Sequence, residues 1–239
     1  MSFLLRNHYR LNSSKVYSPS FPLVGLIIFF ICFIILFLIS ACATTRCGSI
    51  GNPDKGSLRC GERLTKGYGY RVAESDYAWA TKETITLIQY AASATLIMFS
   101  DAPDLLIGHL SSKNGGKLLG HISHQSGRDV DVGFYHKDGK YHRTFFNAED
   151  ETLDVLKTWY FLETLLLTNR VKLMLLDWDV QRLFYQYLYP VYPKNKLDEW
   201  LQYPRPPEVR VGIIRHSPSH KDHVHIRFIC PENDRECVD

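Results

Sequence analysis

Between residues 120 and 136 the chain reads GHISHQSGRDVDVGFYH, which sets His121, His124 and His136 beside Asp129 and Asp131. Far along the sequence, HKDHVHIRFICP carries His220, His223 and His225. Nine of the ten histidines follow residue 42, and all nine fall in two windows: His109, His121, His124, His136 and His142, then His216, His220, His223 and His225. One histidine alone is an ordinary core or surface residue. Two clusters, each flanked by aspartate, suit a metal centre assembled from distant segments, because Zn²⁺ takes imidazole and carboxylate and in catalytic sites keeps three protein ligands and a water. His124 and Asp131 form H-x6-D, a loop histidine followed by a strand carboxylate, with Gly127 allowing a sharp turn between them. His223 and His225 form H-x-H, so on a strand both point to one face, one for the metal and one beside the bound water. No HExxH occurs, which argues against the helical zincin arrangement. Asp129 competes with Asp131, since both project to the same face. Asp138 and His142, with His121, offer a weaker second site or an exposed turn.

These side chains need elements to hold them. Helical apolar spacing runs over residues 81–100 behind an acidic first turn, and again over 152–168 around Leu153, Leu156, Trp159, Leu162 and Leu166. Residues 180–188 read as a third helix. Strands are expected over 130–135, 171–176 and 223–229; in the last, His223, His225 and Arg227 share one face while Val224, Ile226 and Phe228 share the other. Residues 43–70 are rich in Gly, Ser and Asn/Asp and read as a lead-in of turns. The elements mix without βαβ regularity, which predicts an α+β domain. Trp159, Trp178 and Trp200 are expected in its core.

The 239 residues are 45% apolar and 13% aromatic, ample for a packed core. Residues 23–41 run 19 positions without a charge, after a tail charged only at Arg6, Arg10 and Lys15. Removing residues 1–42 leaves 25 basic against 25 acidic residues, so nothing in the neutral remainder points to nucleic acid. The apolar run ends in Ile39-Ser40-Ala41-Cys42, which resembles a bacterial lipobox with lipid attachment at Cys42; an uncleaved signal anchor is the alternative. Both readings divide the chain into a leader, 1–42, and an exported domain, 43–239, held at a membrane in the periplasm. Cys47, Cys60, Cys230 and Cys237 are an even set suited to an oxidising compartment. Cys230 and Cys237 bracket PENDRE, leaving Cys47 to pair with Cys60, though four cysteines allow three connectivities.

Across residues 48–237 the chain resembles the penicillin-insensitive murein endopeptidases, zinc peptidases of the wider LAS group (lysostaphin-type, D-Ala-D-Ala-type and sonic-hedgehog-type domains). The resemblance rests on GHISHQSGRDVDVGFY, HKDHVHIRFICP and the lead-in GSIGNPDKGSL. It implies a small antiparallel sheet carrying a zinc site and flanked by helices, with His124, Asp131 and His225 as ligands. His223 then stands at the catalytic histidine and His220 at a further active-site histidine. His121 takes an accessory-metal or ligand-orienting role, and Asp129 supports a ligand histidine from behind. The implied reaction is hydrolysis of the D-alanyl to meso-diaminopimelyl cross-link of peptidoglycan without a serine nucleophile. The substrate's carboxylates call for cations, for which Arg128, Arg210, Arg215 and Lys221 are candidates. A D-Ala carboxypeptidase and a non-catalytic wall-binding lipoprotein are the competing readings.

Overall fold

The computed structural model describes Ile28, Ile31 and residues 47–239. Cys42 and the apolar run of 23–41, apart from the helical Ile28 and Ile31, lie outside the described residues. The chain divides into two compact units, Met1–Thr45 and Arg46–Asp239, and the second is described by itself. Among the described residues no helix is long and apolar enough to cross a membrane.

The second unit is mixed α+β. Its main sheet has six strands: β4 (Tyr70–Val72), β6 (Leu105–Ile107), β7 (Asp129–Val132), β10 (Val224–Phe228), β8 (Val171–Leu176) and β9 (Ile214–His216), in that spatial order. Its centre is antiparallel, as β6 pairs β7, β7 pairs β10 and β10 pairs β8. Its margins are parallel, β4 on β6 and β8 on β9, so the sheet is larger and more mixed than the small antiparallel one expected. The lead-in is not a run of turns. β1 (Gly48–Asn52) and β2 (Lys55–Arg59) form a hairpin, and β3 (Glu62–Arg63) pairs β5 (Trp79–Ala80).

Four helices cover the sheet. α1 (Lys82–Met98) starts where the Thr81 hydroxyl accepts the Thr84 N–H, with Glu83 favourable in the first turn. It buries Ile85, Ile88, Ala92 and Thr95 at helical spacing. α2 (Val155–Leu166) is capped by Asp154, which accepts from Lys157 N–H, and buries Trp159, Phe161, Leu162, Leu165 and Leu166. α3 (Trp178–Leu188) begins at Asp177, and the short α4 (Lys194–Trp200) follows Pro193. These faces share one core with Val130, Val132, Met174, Leu176, Val224, Ile226 and Phe228 of the sheet. Trp159 and Trp200 lie in that core as expected, whereas Trp178 is half-buried against Tyr203 and His216. The alternation that sends Val224, Ile226 and Phe228 inward turns His225 and Arg227 to the opposite face. Both disulfides, Cys47–Cys60 and Cys230–Cys237, are formed as the spacing suggested.

Candidate metal centre

Strand register brings the distant ligand candidates together. Along the β7–β10 ladder His225 stands directly opposite Asp131, and Arg227 directly opposite Asp129. Opposed residues in an antiparallel pair present their side chains on the same face, so four charged or ligating groups converge from two strands. His124 joins them from the loop before β7. It adopts a left-handed backbone, φ +68°, which a side-chain-bearing residue seldom takes and which accompanies functional sites when the surroundings enforce it. Here the enforcement is visible: the His124 N–H donates to Asp129 Oδ2 at 2.9 Å. Gly127, at φ +72°, closes the same turn where a Cβ would lie 2.9 Å from the Leu58 methyls.

The result is a triangle of buried donor atoms. His124 Nε2 lies 3.1 Å from His225 Nδ1 and 3.2 Å from Asp131 Oδ1, and His225 Nδ1 lies 3.0 Å from Asp131 Oδ1. Zinc bonds of 2.0–2.1 Å in a tetrahedral site place neighbouring ligand atoms roughly 3.3–3.4 Å apart, close to the three edges observed. The three residues are also a group able to hold a metal ion by the proximity of their ligand atoms. The remaining ring nitrogens are spoken for. His124 Nδ1 lies 2.7 Å from the Leu110 carbonyl oxygen, which accepts its proton and leaves Nε2 with a free lone pair. His225 Nε2 faces Asp129 Oδ1 at 3.7 Å, so Asp129 stands behind this candidate ligand and is held in turn by Arg227 Nε and Nη2 at 2.8 and 3.1 Å.

Electrostatics favour an ionised carboxylate pair. Burial alone would raise the Asp131 carboxyl, but His124 and His225 outweigh it and hold the group well below the usual range. Asp129 is likewise depressed against its burial by His225 and Arg227. His225 itself loses basicity to burial, yet Asp129 and Asp131 more than restore it, pushing it up to about 9.

Three further histidines ring the triangle. His223 Nε2 lies 3.9 Å from Asp131 Oδ1. His220 packs its ring 4.8 Å from that of His223 and 6.0 Å from that of His225, and burial, then His223 and His225, push it down to about 4. His121 has its ring 4.5 Å from that of His124 and its Nδ1 3.7 Å from Asp131 Oδ2; burial and then His124 push it down to about 4. His121 Nε2 meets His109 Nδ1 at 2.8 Å, and His109, His121 and Asp131 form a second group able to hold an ion. These side chains open on a cleft of about 490 Å³, lined also by Leu173, Leu175, Ser217, Ser219, Arg227 and Asp54. A larger hollow of about 710 Å³, beside the Cys47–Cys60 disulfide and the start of α1, contains no histidine.

Other expectations are corrected. Arg128 does not reach the cleft: it is buried and donates to Ser49 Oγ, Phe228 O, Val238 O and Asp239 Oδ1, because it sits one residue before Asp129 and so on the other face of the strand. Arg215 donates to Gly212 O and Lys221 faces Glu149 at 3.9 Å; neither lines the cleft, nor does the exposed Arg210. Asp138 and His142 pair with each other at 3.2 Å beside His136 and do not join His121. Sequence reasoning missed Arg227 as the cation behind the ligands, although its place two residues beyond His225 on one face was a usable signal. It also missed His109, whose place beside His121 needs the fold.

Comparison with known proteins shows the family. Residues 49–239 match the penicillin-insensitive murein endopeptidase family. No curated protein matches the chain. The match spans every residue of the triangle and of its histidine ring, and the chain belongs to the penicillin-insensitive murein endopeptidases, hydrolases that act on the peptidoglycan of the cell wall.

Proposed function

We propose that this chain is a zinc-dependent endopeptidase that hydrolyses the D-alanyl to meso-diaminopimelyl cross-link of peptidoglycan. The observation that carries the reading is the buried triangle of His124 Nε2, Asp131 Oδ1 and His225 Nδ1, whose edges of 3.0–3.2 Å suit one tetrahedral face. Bound there, zinc supplies a Lewis acid that polarises the scissile carbonyl and acidifies water. The chain's own residues do the rest. His223 Nε2, at the edge of the triangle, takes the proton from the attacking water and returns it to the leaving amine. His220, kept neutral by its burial, closes the wall of the cleft beside it. Asp129 and Leu110 O orient the two ligand imidazoles. Leu173 and Leu175 give the cleft an apolar lining suited to the methyl groups of D-alanine.

The antiparallel β7–β10–β8 core bearing the ligands supports a LAS-type fold. Two disulfides support an oxidising compartment, and with the lipobox-like residues 39–42 they support a periplasmic lipoprotein anchored through Cys42. His121, with His109 and Asp131, is the candidate for an accessory metal.

The test is product formation from purified cross-linked muropeptides in three parallel reactions containing penicillin, a chelator, or a chelator followed by zinc. The expected pattern is cleavage, none, and cleavage. Inhibition by penicillin with indifference to chelator overturns the metal reading, release of terminal D-alanine alone shows a carboxypeptidase, and no product in any reaction shows a binding protein.

A further inference from the structure

His220 and His223 stand side by side, but their rings are held differently. Among the described residues, the buried His220 Nδ1 has no hydrogen-bond partner. His223 Nδ1 lies 2.7 Å from Asp222 Oδ1, and the Phe145 ring stacks on the imidazole at 4.7 Å with an interplanar angle of 14°. An ionised carboxylate only accepts, so the proton of a neutral His223 belongs on Nδ1 and the lone pair on Nε2, the nitrogen turned toward Asp131. Phe145 has a built seat of its own: a Cβ on Gly108 would lie 2.4 Å from Phe145 Cζ, so the glycine is what lets the ring lie there.

We infer that Asp222 and Phe145 are positioning residues that hold His223 in one tautomer and one ring orientation, with Nε2 presented as the proton acceptor. This rests on the proposed role of His223 in proton transfer. The carboxylate selects the tautomer and the aromatic face restricts rotation about the side-chain bonds. His220 Nδ1 has no carboxylate hydrogen-bonded to it among the described residues. Two side chains from different segments therefore distinguish the histidine that exchanges protons from its neighbour.

The test uses the metal-loaded full-length protein with ¹⁵N-labelled histidine. Asp222→Asn keeps the size of the side chain but can turn an amide N–H toward Nδ1, which favours the opposite tautomer. The wild-type spectrum is expected to show His223, assigned by its loss in His223→Gln, with a protonated Nδ1 and an unprotonated Nε2. In Asp222→Asn the two shifts should exchange and kcat should fall about 10- to 100-fold, with KM and metal content unchanged. Asp222→Glu should recover part of the loss. Phe145→Leu, which removes the stacked ring and leaves the Gly108 N–H donating to Asp131 O, should lower kcat while the wild-type tautomer and the metal content persist. A wild-type His223 protonated on Nε2, an Asp222→Asn kcat within about twofold of wild type, or a fall accompanied by metal loss overturns the inference. Absence of wild-type turnover would remove the role of His223, while the nitrogen shifts would still decide whether Asp222 sets its tautomer.

Discussion

His225 has a carboxylate on either side, Asp131 at 3.0 Å from Nδ1 and Asp129 at 3.7 Å from Nε2. In the metal-free protein this arrangement outweighs burial and pushes the imidazole up to about 9. The folded pKa is above the unfolded value, so the associated stabilisation is full below about pH 6.5 and is lost as pH rises through about 9. An ion that takes Nδ1 must displace its proton. Metal titration of the metal-free protein at pH 7 should therefore release about one proton per ion from this residue, measured as the buffer dependence of the binding heat, and less as the pH passes 9. Asp129 has a separable role, because it touches His225, Arg227 and the His124 backbone without belonging to the triangle. Asp129→Asn should weaken metal binding about 10- to 100-fold in a competitive chelator titration; unchanged affinity would leave Asp129 outside the centre.

At the scale of elements, what the sequence discloses is what local periodicity can encode. The expected helix over 81–100 appears as Lys82–Met98 with Thr81 as its cap, and the expected strand over 171–176 appears as Val171–Leu176. The strand over 223–229 is legible because Val224, Ile226 and Phe228 alternate with polar residues. β6 is not: Leu105, Leu106 and Ile107 are all buried, and three apolar residues have no period to read. β1 and β2 are hidden by their Gly, Ser and Asn content, since their pairing is fixed by the turn at Pro53–Asp54 and by contacts with remote segments. The histidine and aspartate motifs that converge in the triangle were readable from residue type, but Arg128 shows the limit of reading a motif without its strand. Alternation turns it to the face away from Asp129. Removing the Phe161 ring from the core should cost about 3–5 kcal/mol on mutation to alanine, whereas Thr81→Ala should cost about 1 kcal/mol, a contrast measurable in denaturant melts.

Across the whole molecule, the C-terminal segment acts as a clasp on the hairpin and the sheet. The Cys230–Cys237 disulfide closes it, Arg128 and the Cys230 N–H both donate to Asp239, the Ser49 N–H donates to Asp234, and the Gly51 N–H donates to Glu236 O. Replacing both cysteines by serine should lower stability by about 2–3 kcal/mol in thermal or denaturant unfolding while leaving metal content intact, because the ligands lie elsewhere. The proposed ligands come from distant segments: His225 is 94 residues from Asp131 and 101 from His124. In an unfolded polypeptide His225 has a low effective concentration for the other two, and the β7–β10 ladder raises it. On the proposed ligand set, metal capture is thus expected to be a late, cooperative reporter of completed pairing. During refolding a coloured metal–indicator complex should lose its ion to the three-residue site no faster than the tertiary phase, and before that phase the separate histidine motifs can offer only weaker, local chelation.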